Sequence, residues 1–68
     1  MVDLNGQTFE EGDTVRFVRA TLPQNRTRVY EITAVKSHGI EATTGEFTYE
    51  YTFATATRIG ITHHIIER

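Results

Sequence analysis

Phe47-Thr48-Tyr49-Glu50-Tyr51-Thr52-Phe53 carries an aromatic residue at every second position, with threonine or glutamate between. Side chains alternate across a strand, so this segment has one aromatic face and one polar face. At about 3.6 residues per turn the same aromatics would scatter around a helix. Threonine, tyrosine and phenylalanine also favour strands. The stripe is read as core: Phe47, Tyr49 and Tyr51 fill the interior while the tyrosine hydroxyls reach its rim. Two alternatives stand beside that reading. One buries Phe47 and Tyr49 and leaves Tyr51 and Phe53 at one end; the other exposes the whole stripe as a binding patch.

Working outward, Thr44-Gly45 is a tight turn, and residues 40–43 form the short strand before it. Ser37-His38-Gly39 is a second turn, with Gly39 expected at positive φ. Residues 26–36 form the strand upstream. Its apolar residues change phase, since Val29 and Val35 share one parity while Tyr30 and Ile32 share the other. A β-bulge or a strong bend does this, as does burial on both faces. The result is a three-stranded meander of residues 28–36, 40–43 and 46–53.

The flanks add further strands. Residues 14–19 alternate, with Val15 and Phe17 on one face. Asn5-Gly6 is the two-residue signature of a type I′ hairpin, so residues 1–9 form a hairpin arm that packs through Leu4 and Phe9. Pro23 interrupts any ladder between residues 20 and 25, which makes this the longest loop. Residues 54–57 fit either a helical turn or a continued strand. In the last segment Ile59, Ile61, His63 and Ile65 share one face of a C-terminal strand. Short strands between turn signals indicate a barrel or sandwich. The length favours a barrel of five or six strands in a single all-β domain spanning residues 1–68.

Glu11-Gly12-Asp13-Thr14-Val15-Arg16-Phe17 resembles the Gly-Asp-x-Val lead-in to the first long strand of SH3-like small barrels, including KOW and Tudor-type domains. The order of loop, strand, turn, short strand, turn and long strand is also similar, over about residues 11–59. The resemblance implies an SH3-like barrel in which the loop of residues 20–26 helps to bind ligands. The glycine that the KOW pattern places after the first strands is missing here.

Composition narrows the setting. The chain has 68 residues, no cysteine and a formal net charge of −2. Disulfides and thiolate metal sites are therefore excluded, and a reducing, cytoplasmic setting is expected. No apolar run approaches the roughly 18 residues of a membrane span. The acidic total argues mildly against a dedicated nucleic-acid binder. Charge is nevertheless segregated. Residues 1–13 hold Asp3, Glu10, Glu11 and Asp13 with no basic residue, and residues 14–30 hold Arg16, Arg19, Arg26 and Arg28 with no acidic one.

Catalytic chemistry finds little support. Ser37 is the only serine, and it lies in a turn beside His38 without a nucleophile elbow. The pairs Glu46 and Glu50, and Glu10 and Asp13, read as solvated charges. His63 and His64 are adjacent on a strand and point to opposite faces, so they do not chelate one ion, and no metal or other cofactor is expected. Binding surfaces are better represented. Arg26, Arg28 and Tyr30 share a parity, and Arg16 and Arg19 lie on the preceding strand. Such a set can contact phosphates and stack bases. Tyr51 and Phe53 are the aromatics placed to reach one end of the stripe. The isoleucine face of the C-terminal strand suits a homodimer if that strand lies at a sheet edge.

The leading expectation is a non-catalytic accessory or regulatory module that binds a protein, of the kind common among bacterial and phage accessory proteins. Its contact residues are drawn from Arg16, Arg19, Arg26, Arg28, Tyr30, Tyr51 and Phe53. The alternative is a nucleic-acid-binding module using the Arg/Tyr face.

Overall fold

Asn5 and Gly6 sit at φ 51° and 76°, the left-handed pair that a type I′ hairpin needs. They join β1 (Val2–Leu4) to β2 (Gln7–Phe9) in a two-stranded antiparallel sheet. The structure is a computed structural model and describes residues 1–64. Leu4 and Phe9 are both buried, so the arm is fastened to the body of the molecule by its apolar side chains.

The body is a second sheet. Its strands are β3 (Thr14–Phe17), β4 (Tyr30–Val35), β5 (Gly39–Thr44), β6 (Phe47–Thr52) and β7 (Ile61–His63), in the spatial order β6-β5-β4-β3-β7. Every pairing is antiparallel. A short helix, α1 (Phe53–Arg58), separates β6 from β7. A single 3-10 turn, Pro23–Asn25, lies in the long loop.

This arrangement corrects the expected SH3-like, KOW- or Tudor-type barrel of five or six strands. The described residues form two open sheets and a helix. The five-stranded sheet ends in β6 on one side and β7 on the other, and these do not pair with each other among the described residues. The all-β expectation also fails, because residues 53–58 leave the sheet. The cause is local. Thr52 is extended and its Oγ1 accepts a hydrogen bond from the Thr55 amide at 3.1 Å, which makes it an N-cap. Ala54 and Ala56 then favour the helix.

Three further details differ from the sequence expectation. The strand expected over residues 26–36 begins only at Tyr30, because Arg26 Nε donates to the Ala20 carbonyl at 2.8 Å and holds the loop folded. Gly39 is not at positive φ. It is required because a Cβ there would collide with the Tyr51 carbonyl oxygen on the adjacent strand. The part of the C-terminal strand expected at Ile65 and Ile66 lies outside the described residues. The phase change in β4, by contrast, is a register shift between Ile32 and Ala34, as a bulge produces.

One face of the sheet carries the core. Val15, Phe17, Ile32, Ile40 and Ile61 are fully buried there, together with Phe9 from the arm. The aromatic stripe lies on this same face but runs off its covered part. Phe47 is 61% exposed and Tyr49 39%, while Tyr51 and Phe53 are half-buried against the core. This reverses the expectation that buries Phe47 and Tyr49 and leaves Tyr51 and Phe53 at one end, and it contradicts the core reading at Phe47 and Tyr49. The helix, the arm and the loop cover the β3–β7 end and leave the start of β6 open.

Candidate binding groove

Tyr51 is where the stripe meets the core. Its ring lies 4.7 Å from Phe17 and 6.4 Å from Tyr30, and Phe17 and Tyr30 meet edge-on at 5.0 Å. These three rings form the floor of an open groove of about 280 Å³. Leu22 from the long loop and Ile59 and Arg58 from the end of α1 make its walls. Such a volume is at or below the lower end for small-molecule sites, roughly 300 Å³. It suits one or two apolar side chains of a larger partner.

The sequence builds each wall for a reason. Pro23 starts the 3-10 turn, whose Asn25 and Arg26 amides bond back to the Leu22 and Pro23 carbonyls at 2.9 and 3.1 Å. The turn leaves Leu22 about half exposed, at 52%. The helix end is held by Arg19, whose guanidinium donates to the Thr57 and Arg58 carbonyls at 3.2 and 3.4 Å. A cation at a helix C-terminus is favourable.

Electrostatically the groove is neutral with a basic rim. Burial raises the Tyr51 pKa, reinforced by the neighbouring Tyr30 and Tyr49, while the Arg28 charge acts in the opposite sense. Tyr51 therefore stays a neutral hydroxyl throughout the working pH range and offers both a donor and an acceptor.

The seven expected contact residues separate into three groups. Tyr30 and Tyr51 meet in the groove, with Arg28 exposed near Tyr51 and Phe53 half-buried at the start of α1. Arg19 and Arg26 are engaged with backbone carbonyls. Arg16 pairs across from Thr62 and lies on the opposite face from Phe17, with its Nε buried and unpartnered among the described residues. Tyr30 is buried, at 3% exposure, so the Arg26/Arg28/Tyr30 platform does not form. Residue pattern did not single out Phe17, Leu22, Arg58 or Ile59 as groove residues. The one available signal was an apolar residue before a loop proline at Leu22-Pro23.

The expected homodimer face on the C-terminal strand is also altered. Val15, Arg16 and Phe17 pair with His63, Thr62 and Ile61, which leaves the backbone of Ile61 and His63 facing outward. The arm covers that edge. The His63 amide donates to Gln7 Oε1 at 3.0 Å, and Asn5 Nδ2 approaches the Ile61 carbonyl at 3.4 Å. The His63 ring stacks on Phe9 at 4.4 Å, and its Nε2 donates to the Thr8 carbonyl at 2.8 Å.

Among the described residues, no three histidine, aspartate or glutamate side chains converge as a metal site would require. Among the described residues no helix is long and apolar enough to cross a membrane. Comparison of the chain with protein families, with curated proteins and with solved structures gives no match.

Proposed function

We propose that this domain is a non-catalytic binding module that takes an apolar segment of a protein partner in the groove over Tyr51. The observation that carries the reading is the Phe17–Tyr30–Tyr51 floor beneath an exposed leucine. Aromatic anchors in a partly desolvated depression are what protein interfaces use most effectively. The absence of cysteine fits a reducing, cytoplasmic setting. The nucleic-acid alternative draws less support, since Arg19 and Arg26 are tied to carbonyls and Arg16 projects from the other face.

The test is selection of a displayed random-peptide library against the intact chain and against Leu22→Asp. Peptides with a shared apolar residue should be enriched by the first and lost with the second. Their binding should change little with salt. Selection that enriches nothing, together with salt-sensitive binding of labelled single-stranded oligonucleotides, would overturn the reading, because phosphate contacts release counterions.

A further inference from the structure

We infer that β6 is a self-pairing edge, through which two copies of this chain join antiparallel into one continuous sheet. The inference is independent of what the groove binds. The turn at Gly45-Glu46 has two residues, and Thr44 pairs with Phe47. The closing pair of such a hairpin is hydrogen-bonded, and the pattern alternates along the strand. Phe47, Tyr49 and Tyr51 therefore bond to β5, as the Phe53 amide does to the His38 carbonyl at 3.3 Å. The N–H and C=O groups of Thr48, Glu50 and Thr52 face outward. Among the described residues no strand pairs with that side. The strand is six residues long and has no proline, lysine or bulge, the usual devices that discourage pairing.

Strand length and charge together select one register: only pairings centred on Tyr49 or on Glu50 engage five of the six residues of β6. A two-fold axis relates identical strands, so residue i meets residue j and j meets i. If Glu50 lay opposite the partner's Glu50, like charges would face each other, which is destabilising. If Thr48 lay opposite the partner's Thr48, Glu46 would face the partner's Glu50. With Tyr49 opposite the partner's Tyr49, neither clash occurs. Thr48 then meets the partner's Glu50, a hydroxyl beside a carboxylate. Phe47 meets the partner's Tyr51. These aromatic pairs occupy non-hydrogen-bonded positions, where side chains approach most closely. Phe47 and Tyr49, the two exposed rings of the stripe, gain partners together. The same register sets the partner's Phe47 beside Tyr51 and so extends the groove across the joint.

Cysteine cross-linking reads the register directly, since the chain has no cysteine of its own. Opposed Tyr49 positions would have Cα atoms about 4.5 Å apart, within the disulfide range of about 4.4–6.8 Å. The Glu50 positions would lie on a diagonal of about 7–8 Å. On mild oxidation Tyr49→Cys should give mostly covalent dimer and Glu50→Cys little. Sedimentation of the intact chain should show a monomer–dimer equilibrium. Thr48→Pro removes one outward N–H from each copy and leaves the β5 ladder untouched. With folding checked by circular dichroism, it should weaken the dimer by about tenfold or more, the scale of two lost hydrogen bonds. A chain that stays monomeric at all concentrations overturns the inference. So does a dimer in which Glu50→Cys cross-links better than Tyr49→Cys, or one that Thr48→Pro leaves intact.

Discussion

β7 and β6 end the same five-stranded sheet, and they are finished differently. β7 is three residues long, and a hairpin lies over it. Its outward amide at His63 is taken by Gln7, its outward carbonyl at Ile61 is approached by Asn5, and its ring stacks on Phe9. Side chains here take one outward amide and one outward carbonyl of β7, places that a sixth strand would otherwise fill. β6 is twice as long, carries exposed Phe47 and Tyr49, and has one charged side chain, Glu50, on its polar face. An open sheet with one edge committed can extend only once, at its other edge, and so cannot grow into a fibre. The N-terminal arm commits the β7 edge, and the other edge stays available for recognition. That the arm is so small is consistent with this role: it contributes two core residues, Leu4 and Phe9, and a set of polar caps.

Phe9 carries most of what holds the arm over β7. Truncating a fully buried phenylalanine costs about 3–5 kcal/mol, and here the loss also removes the stack under His63. At roughly 0.05–0.15 kcal/mol per residue, the total stability of a chain this size is of the same order. Phe9→Ala should therefore lower the urea midpoint severely, and the folded fraction that remains should lose the β7 cap and associate through that edge as well. A Phe9→Ala protein as stable as the parent would mean that the arm is an appendage.

Gln7→Ala strips the β7 cap without dismantling the arm. It removes the acceptor of the His63 amide and the mutual hydrogen bonds with Thr62 at 3.1 and 3.3 Å. Leaving a half-buried donor without a partner costs about 1–2 kcal/mol. The local signature is more specific than the total. In hydrogen exchange on dilute protein, the His63 amide should be protected in the parent and should exchange much faster in Gln7→Ala. The Glu50 amide, which faces the open edge, should exchange fast in both. Equal protection of His63 in the two proteins would show that the cap is dispensable.

The two edges were unequally legible in the sequence. The period-two stripe of residues 47–53 identified β6, because alternation is a property of the strand itself. Its exposure was not legible, because that depends on which distant elements cover the face, and here they gather at the β3–β7 end. The Asn5-Gly6 hairpin could be read from its turn chemistry, but nothing local says that Gln7 will meet His63, 56 positions away. The barrel expectation failed for the same reason. Strand count and order follow from local pattern, whereas closure depends on whether the terminal strands find each other. For the groove, parity placed Tyr30 with the arginines and Tyr51 in the aromatic stripe without joining the two, and Leu22, Arg58 and Ile59 are assembled by a loop turn and a helix end. Parity along a strand places the arginines on a face but does not show that Arg19 and Arg26 are engaged by carbonyls.

The smallest expected effect concerns the one charge on the open edge. Lys36 Nζ donates to Glu50 Oε1 at 2.5 Å and lies 4.0 Å from Glu41. The hydrogen bond with Glu50, and then its charge, raise the Lys36 pKa; the same contact with Lys36 lowers that of Glu50. Glu50 contributes its part above the ordinary glutamate range and loses it as pH falls, while Lys36 contributes below the ordinary lysine range and loses it as pH rises. The pair is intact between those limits, which include neutral pH. Because it is solvent-exposed, its effect on folding is slight, and Lys36→Ala should leave the urea midpoint unchanged within error. Its effect on the edge should be easier to see. Without Lys36, the glutamates of two paired copies lie near each other unneutralised, so the dimer should weaken at low salt and recover as salt screens the repulsion. A Lys36→Ala dimer indifferent to salt would show that Glu50 does not sit at the joint.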